Sequence, residues 1–318
     1  MPTLNERAYE LCDAMVADAD QLGILVSTLE CGTRIIDCGV KAPGSAKAGI
    51  RLSEVCLSGL AEVSIMPADE RGPTDLEVGV TTNSPIAACM ASQYAGWEIK
   101  GEKFFAMGSG PMRAAACREE LFQHIGHCER PEVCVGVLET SKLPPDNVCI
   151  DIAEKCGVLP NRLTLLVART SSQAGTVQIV ARSVETALHK LHVLGFDLKR
   201  ITLGSGTAPL PPVADDDSKA IGWTNDAILY GATVTLVIRD GFNDRNEIGP
   251  RVPSNASSDF GRPFSEIFAR YNHDFYRIDP MLFSPARVAF LCFNDPGGPA
   301  LVFGRLTREV LAESFGKK

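Results

Sequence analysis

Apolar residues recur at helical spacing at the start of the chain. Leu4, Ala8, Leu11 and Met15 fall on one side of a helix, because 3.6 residues complete each turn. Two runs rich in β-forming residues follow, one on each side of residues 30–33, and this arrangement predicts a β-hairpin. The first segment lacks the basic start and the continuous apolar stretch of an export signal, so we expect a cytoplasmic protein.

Strand-like and helix-like stretches alternate through the rest of the chain. Segments 49–66 and 220–238 each predict a helix, a glycine and a strand, an echo that fits duplication and chance equally well. The alternation predicts an α/β fold of the α+β type, with two mixed lobes at 1–130 and 131–318. Residues 286–304 predict a C-terminal hairpin that is free to return to the first lobe. We expect the active site in a cleft between the lobes, where ligand sites are common.

Segment 177–195 predicts a single amphipathic helix. At 100° per residue, an apolar face lies within about 60° of its first residue; its members are Val177, Val180, Ala181, Val184, Leu188 and Leu191. A polar stripe lies between about 60° and 140° by the same arithmetic; its members are Gln178, Arg182, Glu185, His189 and His192. Ser183, Thr186 and Lys190 fall elsewhere and are predicted to face solvent.

Two interpretations of this polar stripe remain open on periodicity. Arg182 and Glu185 stand at i,i+3, and an exposed pair at that spacing is worth about 0.2–0.5 kcal/mol. Alternatively, Ile179 and Val193 border the stripe with apolar groups, which favours a partly buried stripe that lines a cleft. A carboxylate in a cleft can act as a general base, and a neighbouring arginine holds it ionised. Nucleophilic catalysis has less support, because the sequence contains no G-x-S-x-G motif.

Two glycine-rich motifs, MGSGP at 107–111 and LGSGTAP at 203–209, are interpreted as turns. Neither has the spacing of a dinucleotide-binding loop or the lysine of a P-loop. Their backbone N–H groups can contact an anion or ligand, or they can simply make tight turns. The predicted substrate contacts come from these motifs and from the polar pair in 220–238: Gly108, Ser109, Gly110, Ser205, Gly206, Thr207, Asn225 and Asp226.

Three consecutive aspartates at 215–217 precede the helix predicted within 220–238. Acidic residues at a helix start are favoured by the helix dipole, so we expect a capping cluster. A magnesium or calcium site there would need further oxygen ligands, whose positions the sequence does not identify.

The composition is that of a globular protein of enzyme size. The chain has 318 residues, of which 45% are hydrophobic and 22% charged, and a net charge of −8. No stripe of lysine and arginine is visible, so we expect no nucleic-acid partner, and no membrane-spanning segment is visible either. Several of the eleven cysteines lie in apolar runs and are predicted to be buried thiols in a reducing compartment. His124, His127 and Cys128 lack a second ligand group, so we expect no metal.

Seven longer motifs decide between these possibilities. In chain order they are IIDCGV, FFAMGSGPMRA, LETSKLPPD, GTAPLPPVADDD, IGWTNDAILYG, DFYRIDPMLFSPARV and ESFG. Together they resemble the methenyltetrahydromethanopterin cyclohydrolases, from about residue 36 to residue 315. The motifs are long and occur in the same order along the chain as in the family, so a chance match is improbable.

The resemblance implies a fold, a reaction and a catalytic pair. It implies two α/β domains with a pocket between them, usually in a homotrimer, and no metal or redox cofactor. The implied reaction is the reversible hydrolysis of a cationic methenyl-tetrahydropterin to its N5-formyl form. The family's proposed catalytic arginine and glutamate match Arg182 and Glu185 in ARSVETALHK. The resemblance implies no role for His189 or His192, and it fits formaldehyde oxidation in methylotrophy as well as methanogenesis.

Two other functions stay open at this point. One is the same hydrolysis on a folate carrier, and the other is a non-catalytic protein that binds or sequesters a tetrahydropterin. The intact Arg182–Glu185 motif argues against the second, because a protein that had lost its activity would be expected to have altered that pair.

Overall fold

The computed structural model describes residues 2–69, 72–240, 242, 245–295 and 297–316. The chain forms two compact units, and each unit is assembled from two segments. Unit 1 comprises Met1–Ala61 and Ile86–Gln178, and unit 2 comprises Glu62–Pro85 and Ile179–Lys318. The single boundary predicted after residue 130 does not separate these units. The reason is that the strand pair within 62–82 belongs to the sheet of the later half of the chain.

The described residues form twelve strands and eleven α-helices. The strands are β1 (Leu25–Thr28), β2 (Arg34–Gly39), β3 (Glu62–Pro67), β4 (Leu76–Thr82), β5 (Trp97–Gly101), β6 (Phe104–Ser109), β7 (Cys134–Glu139), β8 (Leu163–Ala168), β9 (Ile201–Pro209), β10 (Thr233–Ile238), β11 (Arg287–Cys292) and β12 (Leu301–Gly304). The helices are α1 (Leu4–Ala17), α2 (Ala19–Leu22), α3 (Ala46–Cys56), α4 (Met112–Ala116), α5 (Leu121–Ile125), α6 (Asp146–Cys156), α7 (Gln173–Val180), α8 (Ser183–Val193), α9 (Asp217–Gly231), α10 (Phe264–Arg270) and α11 (Arg308–Ser314). A π-helix spans Ile86–Gln93. Short 3₁₀ turns lie at Pro160–Arg162, Leu198–Arg200, Gly249–Arg251, Ser254–Ala256, Phe275–Arg277 and Pro280–Leu282.

Unit 1 is built on a mixed sheet in the order β1-β2-β8-β7-β6-β5, whose central strands β2, β8 and β7 run parallel. Ile35 and Ile36 are neighbours on β2, so their side chains point to opposite faces of the sheet, and both are fully buried. Helices therefore cover both faces, as parallel sheets require. Residues of α1, α3 and α7 share one apolar cluster with the sheet, and residues of α4 and α6 share the other.

Unit 2 is built on a second mixed sheet in the order β12-β11-β10-β9-β4-β3. Helix α8 packs against β9 and β10, and α9 packs against β9. On β10, Val234, Leu236 and Ile238 are buried, whereas the alternating residues between them are half-buried. The predicted C-terminal hairpin is confirmed as β11 and β12, and it belongs to unit 2 because β11 pairs parallel with β10.

The predicted α/β fold with two mixed lobes is confirmed. The hairpin around 30–33 forms between β1 and β2, and α1 buries Leu4, Ala8 and Met15 as its spacing predicts. The two echoing segments form α3–β3 and α9–β10, each a helix followed by a strand. A common origin of the two lobes stays a prediction.

Candidate active site

The predicted helix over 177–195 is two helices. Helix α7 ends at Val180 and α8 begins at Ser183, with Arg182 between them at φ −92° and ψ 8°. The Arg182 N–H donates to the Ile179 carbonyl at 3.1 Å, and the Arg182 carbonyl accepts the first bond of α8 from Thr186 at 2.9 Å. Neither glycine nor proline stands at this break, so hydrophobic periodicity had no signal for it. The interruption puts Glu185 in the first turn of a new helix.

Arg182 and Glu185 form a buried ion pair. Arg182 Nη1 lies 3.7 Å from Glu185 Oε2, and the two residues are 7% and 4% exposed. The interpretation of these residues as a solvated pair is therefore wrong. At 3.7 Å the contact is longer than a hydrogen bond, so the attraction between these two atoms is Coulombic and is strengthened by burial. The first turn of α8 adds the positive end of a helix dipole, which attracts the negative charge of a carboxylate at position 185.

Burial of the polar stripe decreases towards the C-terminal end of α8. The apolar face predicted from Val177 to Leu191 is buried throughout. Gln178 is also buried, and its Nε2 lies 3.8 Å from Cys56 Sγ. His189 and His192 are half-buried, nearer the end of α8. The buried part of the stripe therefore comprises Gln178, Arg182 and Glu185.

Two residues predicted to face solvent are buried instead. Ser183 is fully buried, and Lys190 is 1% exposed with its Nζ donating to the Met281 carbonyl. Burial lowers the pKa of Lys190 to about 8, and the nearby Asp279 works in the opposite direction. The prediction from helical periodicity failed at these positions because α8 is covered on the Ser183 side by the sheet and on the Lys190 side by the segment that contains Met281.

LGSGTAP forms the last seven residues of strand β9 and not a turn, so that prediction is wrong. Its glycines serve close packing, because a Cβ on Gly206 would lie 2.6 Å from Ser183 Oγ. A Cβ on Gly204 would lie 2.6 Å from Val184 Cγ1. The glycine spacing therefore lets the first turn of α8 lie directly on the sheet, and this contact fixes the height at which Glu185 is held.

The alternation of β9 separates the other residues of this motif from Glu185. Ser205 and Thr207 alternate with the two glycines that face α8, so their side chains lie on the opposite face of the sheet. Ser205 Oγ is 3.0 Å from Thr81 Oγ1 on the neighbouring strand. The structure does not bring Ser205 and Thr207 together with the buried ion pair.

MGSGP does contain the predicted turn, and it lies in unit 1. Gly108 and Ser109 are the last residues of β6, and Gly110 follows with φ +85°, a conformation that favours glycine. Ser109 Oγ lies 3.4 Å from Cys56 Sγ. Contact of Gly108, Ser109 and Gly110 with substrate stays a prediction.

Asn225 and Asp226 are held by contacts within unit 2. Asn225 Nδ2 donates to the Ile221 carbonyl at 2.8 Å, one turn earlier on α9. Asp226 is fully buried and accepts from the Phe264 N–H at 2.8 Å and from Ser314 Oγ at 2.6 Å. Burial raises the pKa of Asp226 to about 7, against the effect of these two hydrogen bonds. Asp226 thus connects α9 to α10 and α11, and this connection accounts for its buried carboxyl group.

Comparison with known proteins extends over nearly the whole chain. The model of the family described as Cyclohydrolase (MCH) matches residues 3–315. The chain belongs to this cyclohydrolase family. A methenyltetrahydromethanopterin cyclohydrolase of Xanthobacter autotrophicus is 45% identical over 306 residues, which cover 96% of this chain and 90% of that protein. Proteins of the same name from Methylobacillus flagellatus and Methanococcoides burtonii are 42% and 39% identical, and each alignment covers at least 96% of both chains.

Sequence reasoning missed a second polar cluster of this cyclohydrolase chain, in unit 1. Asp37 ends the apolar run of β2, and its buried carboxylate accepts hydrogen bonds of 2.7–3.1 Å from the four backbone N–H groups of residues 39–42. At the end of β7, which β8 separates from β2 in the sheet, Glu139 Oε1 accepts from Thr170 Oγ1 at 2.8 Å. These groups lie at the carboxyl ends of parallel strands, where α/β proteins commonly bind ligands. The signal was present in IIDCGV and LETSKLPPD, but no sequence rule paired the two motifs.

The remaining candidate features of this family member have structural partners. Asp216 caps α9 by accepting from the Lys219 N–H at 2.9 Å, so the capping role predicted for the aspartates is confirmed. Cys128 is bonded to Cys117, and His127 Nε2 lies 3.4 Å from Glu129 Oε1. Within the described ranges, no group of three or more His, Cys, Asp or Glu side chains is arranged to hold a metal ion. No helix of that part of the chain combines the length and apolarity needed to cross a membrane.

Proposed function

We propose that this chain catalyses the reversible hydrolysis of 5,10-methenyl-tetrahydromethanopterin, or a close pterin analogue, to the N5-formyl form. The buried Arg182–Glu185 ion pair at the start of α8 carries the proposal. It occurs in a chain whose relatives of the same length are named methenyltetrahydromethanopterin cyclohydrolases. The step belongs to one-carbon metabolism, because the reacting group is a single carbon borne by the pterin carrier, and its oxidation state does not change.

Glu185 acts as the general base in this proposal. The substrate carbon is bonded to two nitrogens that share a positive charge, so it is electrophilic without a metal ion to polarise it. Glu185 orients a water molecule and accepts its proton as the oxygen–carbon bond forms. A carboxylate also attracts the substrate cation, and that attraction favours binding.

Arg182 balances the charge of Glu185 through the reaction. Before water attack it keeps Glu185 ionised, because a cation beside a buried carboxylate favours the charged form. As water adds, the substrate loses its positive charge and Glu185 gains a proton. Arg182 remains charged throughout, so it again compensates the negative charge of Glu185 when the carboxylate is regenerated at the end of the reaction.

The proposed proton transfers balance. Protonated Glu185 delivers its proton to the leaving nitrogen as the carbon–nitrogen bond breaks. The hydroxyl group of the adduct loses its own proton and becomes the formyl oxygen. One water is consumed and one proton is released for each cation hydrolysed, and the reverse sequence closes the ring.

The same proposal covers assembly, cofactor and location. We infer a homotrimer, a reaction without metal or redox cofactor, and a cytoplasmic enzyme, following the family resemblance. Light scattering on the purified protein should give three times the chain mass of 34.1 kDa. Activity should survive treatment with a metal chelator, because the chemistry assigned to Glu185 needs no Lewis acid.

Glu185→Gln tests the proposed function. The variant keeps the size of the side chain and removes the base, so turnover should fall at least about 10²-fold while the carrier still binds. Loss of the methenyl absorbance measures hydrolysis, and equilibrium titration measures binding. Glu266→Gln is the matched control, because Glu266 also lies in the first turn of a helix with an arginine one turn away, but is exposed. Near wild-type hydrolysis by Glu185→Gln would remove Glu185 from the mechanism.

Assays with two carriers separate the competing functions. We expect the wild-type protein to hydrolyse the methenyl form of tetrahydromethanopterin much faster than that of tetrahydrofolate. Preference for the folate carrier would replace the substrate proposed here. Binding of both methenyl carriers without any loss of absorbance would indicate a sequestering protein instead of an enzyme.

A further inference from the structure

Cys117 and Cys128 lie together near the surface of unit 1, outside the two larger apolar clusters that hold most other cysteines. Cys117 packs against a smaller apolar cluster that contains Ala114 and Phe122. Their Cα atoms are 5.6 Å apart, a distance that a disulfide spans without backbone movement, and the two sulfurs are bonded. Cys128 is exposed and Cys117 is half-buried. No local motif predicts this pair, since the two cysteines are eleven positions apart and no C-x-x-C motif occurs.

The other nine cysteines stand as thiols in less reactive settings. Seven of them are buried, and burial raises the pKa of the Cys12 and Cys149 thiols to about 12. Since the thiolate is the nucleophile in disulfide exchange, these buried groups react slowly. Cys31 and Cys292 are half-buried and are the natural comparison for accessibility.

The structure holds the two ends of this segment in place independently of the sulfurs. Just after Cys117, the carboxylate of Glu119 accepts two bonds from the buried Arg113, at 2.8 Å from Nε and 2.5 Å from Nη2. Arg113 is anchored in turn, because its Nη1 donates to the carbonyls of Met90 and Ser92 at 3.0 and 3.2 Å.

The far end of the segment is fixed to the start of α1. Just after Cys128, Glu129 Oε1 accepts from the Leu4 N–H at 2.6 Å, and its Oε2 accepts from Asn5 Nδ2 at 3.0 Å. Both cysteines therefore adjoin residues anchored in buried polar contacts. Held in this way, two thiols have a high effective concentration for each other, so the bond re-forms readily after reduction.

We propose that Cys117 and Cys128 are a reversible thiol–disulfide site that reacts with low-molecular-weight disulfides such as glutathione disulfide. The Cys128 thiolate attacks one sulfur of the small disulfide, which releases one small thiol and leaves a mixed disulfide. The Cys117 thiolate then attacks the Cys128 sulfur and releases the second small thiol. Two protein thiols are oxidised, one small disulfide is reduced to two thiols, and excess small thiol reverses both steps.

The bond closes a ring that contains α5, and this sets its physical effect. Arg118, directly after Cys117, is exposed, and its guanidinium lies 5.9 Å from the centre of the Trp97 ring. A protease binds its substrate as an extended stretch of chain. With the ring closed, the backbone around Arg118 cannot extend into a protease active site unless the structure opens locally at both ends of the segment. Reduction removes this restraint from residues 117–128 and leaves the rest of unit 1 unchanged.

The first experiment counts thiols. The fully reduced protein is equilibrated with mixtures of reduced and oxidised glutathione, unfolded, alkylated and weighed by mass spectrometry. As the mixture becomes more oxidising, the number of alkylated cysteines per chain should fall from eleven to nine in a single step. Peptide mapping should recover the Cys117–Cys128 link. Full alkylation in every mixture, or loss of two thiols elsewhere, would overturn the proposal.

Single variants identify the order of the two steps. In Cys117→Ser the attacking thiol remains but the resolving thiol is gone, so Cys128 should accumulate a glutathione adduct. Cys128→Ser should accumulate much less adduct, because Cys117 is less exposed. Cys31→Ser is the matched control and should still lose two thiols together. If both Cys117→Ser and Cys128→Ser still lost two thiols together, as the wild-type protein is expected to, the assignment would be refuted.

Limited trypsin digestion tests the restraint without reference to hydrolysis of the carrier. Cleavage after Arg118 should be severalfold slower in the oxidised protein than in the reduced protein. The difference should vanish in Cys117→Ser and remain in Cys31→Ser. Equal cleavage of the oxidised and reduced wild-type protein would contradict the proposed ring closure.

Discussion

Gly206→Ala tests whether the contact between β9 and the first turn of α8 sets the position of Glu185. A methyl group at position 206 would lie 2.6 Å from Ser183 Oγ, 3.1 Å from Val234 Cγ2 and 3.2 Å from Val184 Cγ2. All three contacts are shorter than ordinary van der Waals separations, and each neighbour is buried. Strand β9 is hydrogen-bonded on both sides, so the strain falls on α8.

The expected effect has a stability part and a catalytic part. Overpacking of a filled core costs about 1–3 kcal/mol of unfolding free energy. A shift of α8 away from the sheet also moves Glu185, and a displacement of about 1 Å can lower a rate by about 10²-fold. We therefore expect Gly206→Ala to fold with reduced stability and to lose about tenfold to 10²-fold in kcat, on the proposed function.

Urea unfolding and the methenyl absorbance assay measure the two parts. Gly79→Ala on β4 is the matched control, because its new methyl group would meet Met66 Cε, the end of a flexible side chain, at 2.6 Å. We expect kcat of this control to be unchanged and its stability to fall by less than about 1 kcal/mol. Ser183→Ala removes the closest clashing atom, so in the Gly206→Ala background it should recover part of both losses.

Two results would refute this argument. Wild-type stability and kcat in Gly206→Ala would show that α8 does not depend on the glycine. Losses in Gly206→Ala that Ser183→Ala leaves untouched would show that the strain does not act through Ser183.

Two further variants test buried polar groups. Burial raises the pKa of Asp226 to about 7 from 3.8, so its contribution to stability is full below about pH 4 and is lost as pH rises towards 7. Asp226→Asn should flatten the pH dependence of the free energy of unfolding, measured with urea in this range, by at most about 1.4 kcal/mol per pH unit, and an unchanged slope would contradict the shift. Glu119→Gln should destabilise by about 3 kcal/mol, because it leaves the buried Arg113 without its carboxylate. Glu98→Gln, whose cationic partner Lys100 is 68% exposed, should lose less than about 1 kcal/mol in the same unfolding assay, and equal losses would argue against the burial effect.

Local pattern was sufficient wherever burial follows from periodicity within one element. The spacing of Leu4, Ala8 and Met15 fixed the inner face of α1, and continuous apolar runs marked β7 and β8, which are buried on both sides. The apolar face of 177–195 was predicted correctly for the same reason. These signals depend on the helical and strand repeats, which the chain carries without reference to distant residues.

The same logic failed where a distant segment covers a residue. Lys190 was predicted to face solvent, yet the segment around Met281 covers it. The glycines of LGSGTAP have the composition of a turn, but they occupy a central strand because α8 needs the space above them. Neither neighbour is close in sequence, so no local rule could have named it.

By itself, the sequence of this cyclohydrolase determined the α/β class, most helices and strands, and the Arg182–Glu185 motif. Its long motifs also carried the family resemblance, because such motifs are read residue by residue. Only the tertiary structure decided that the helix breaks before Glu185 and that the ion pair is buried. It also decided that Ser205 and Thr207 face away from that pair, and that Cys117 meets Cys128. Each of these facts depends on which distant segment covers which side chain, and that choice is made when the sheets and helices pack.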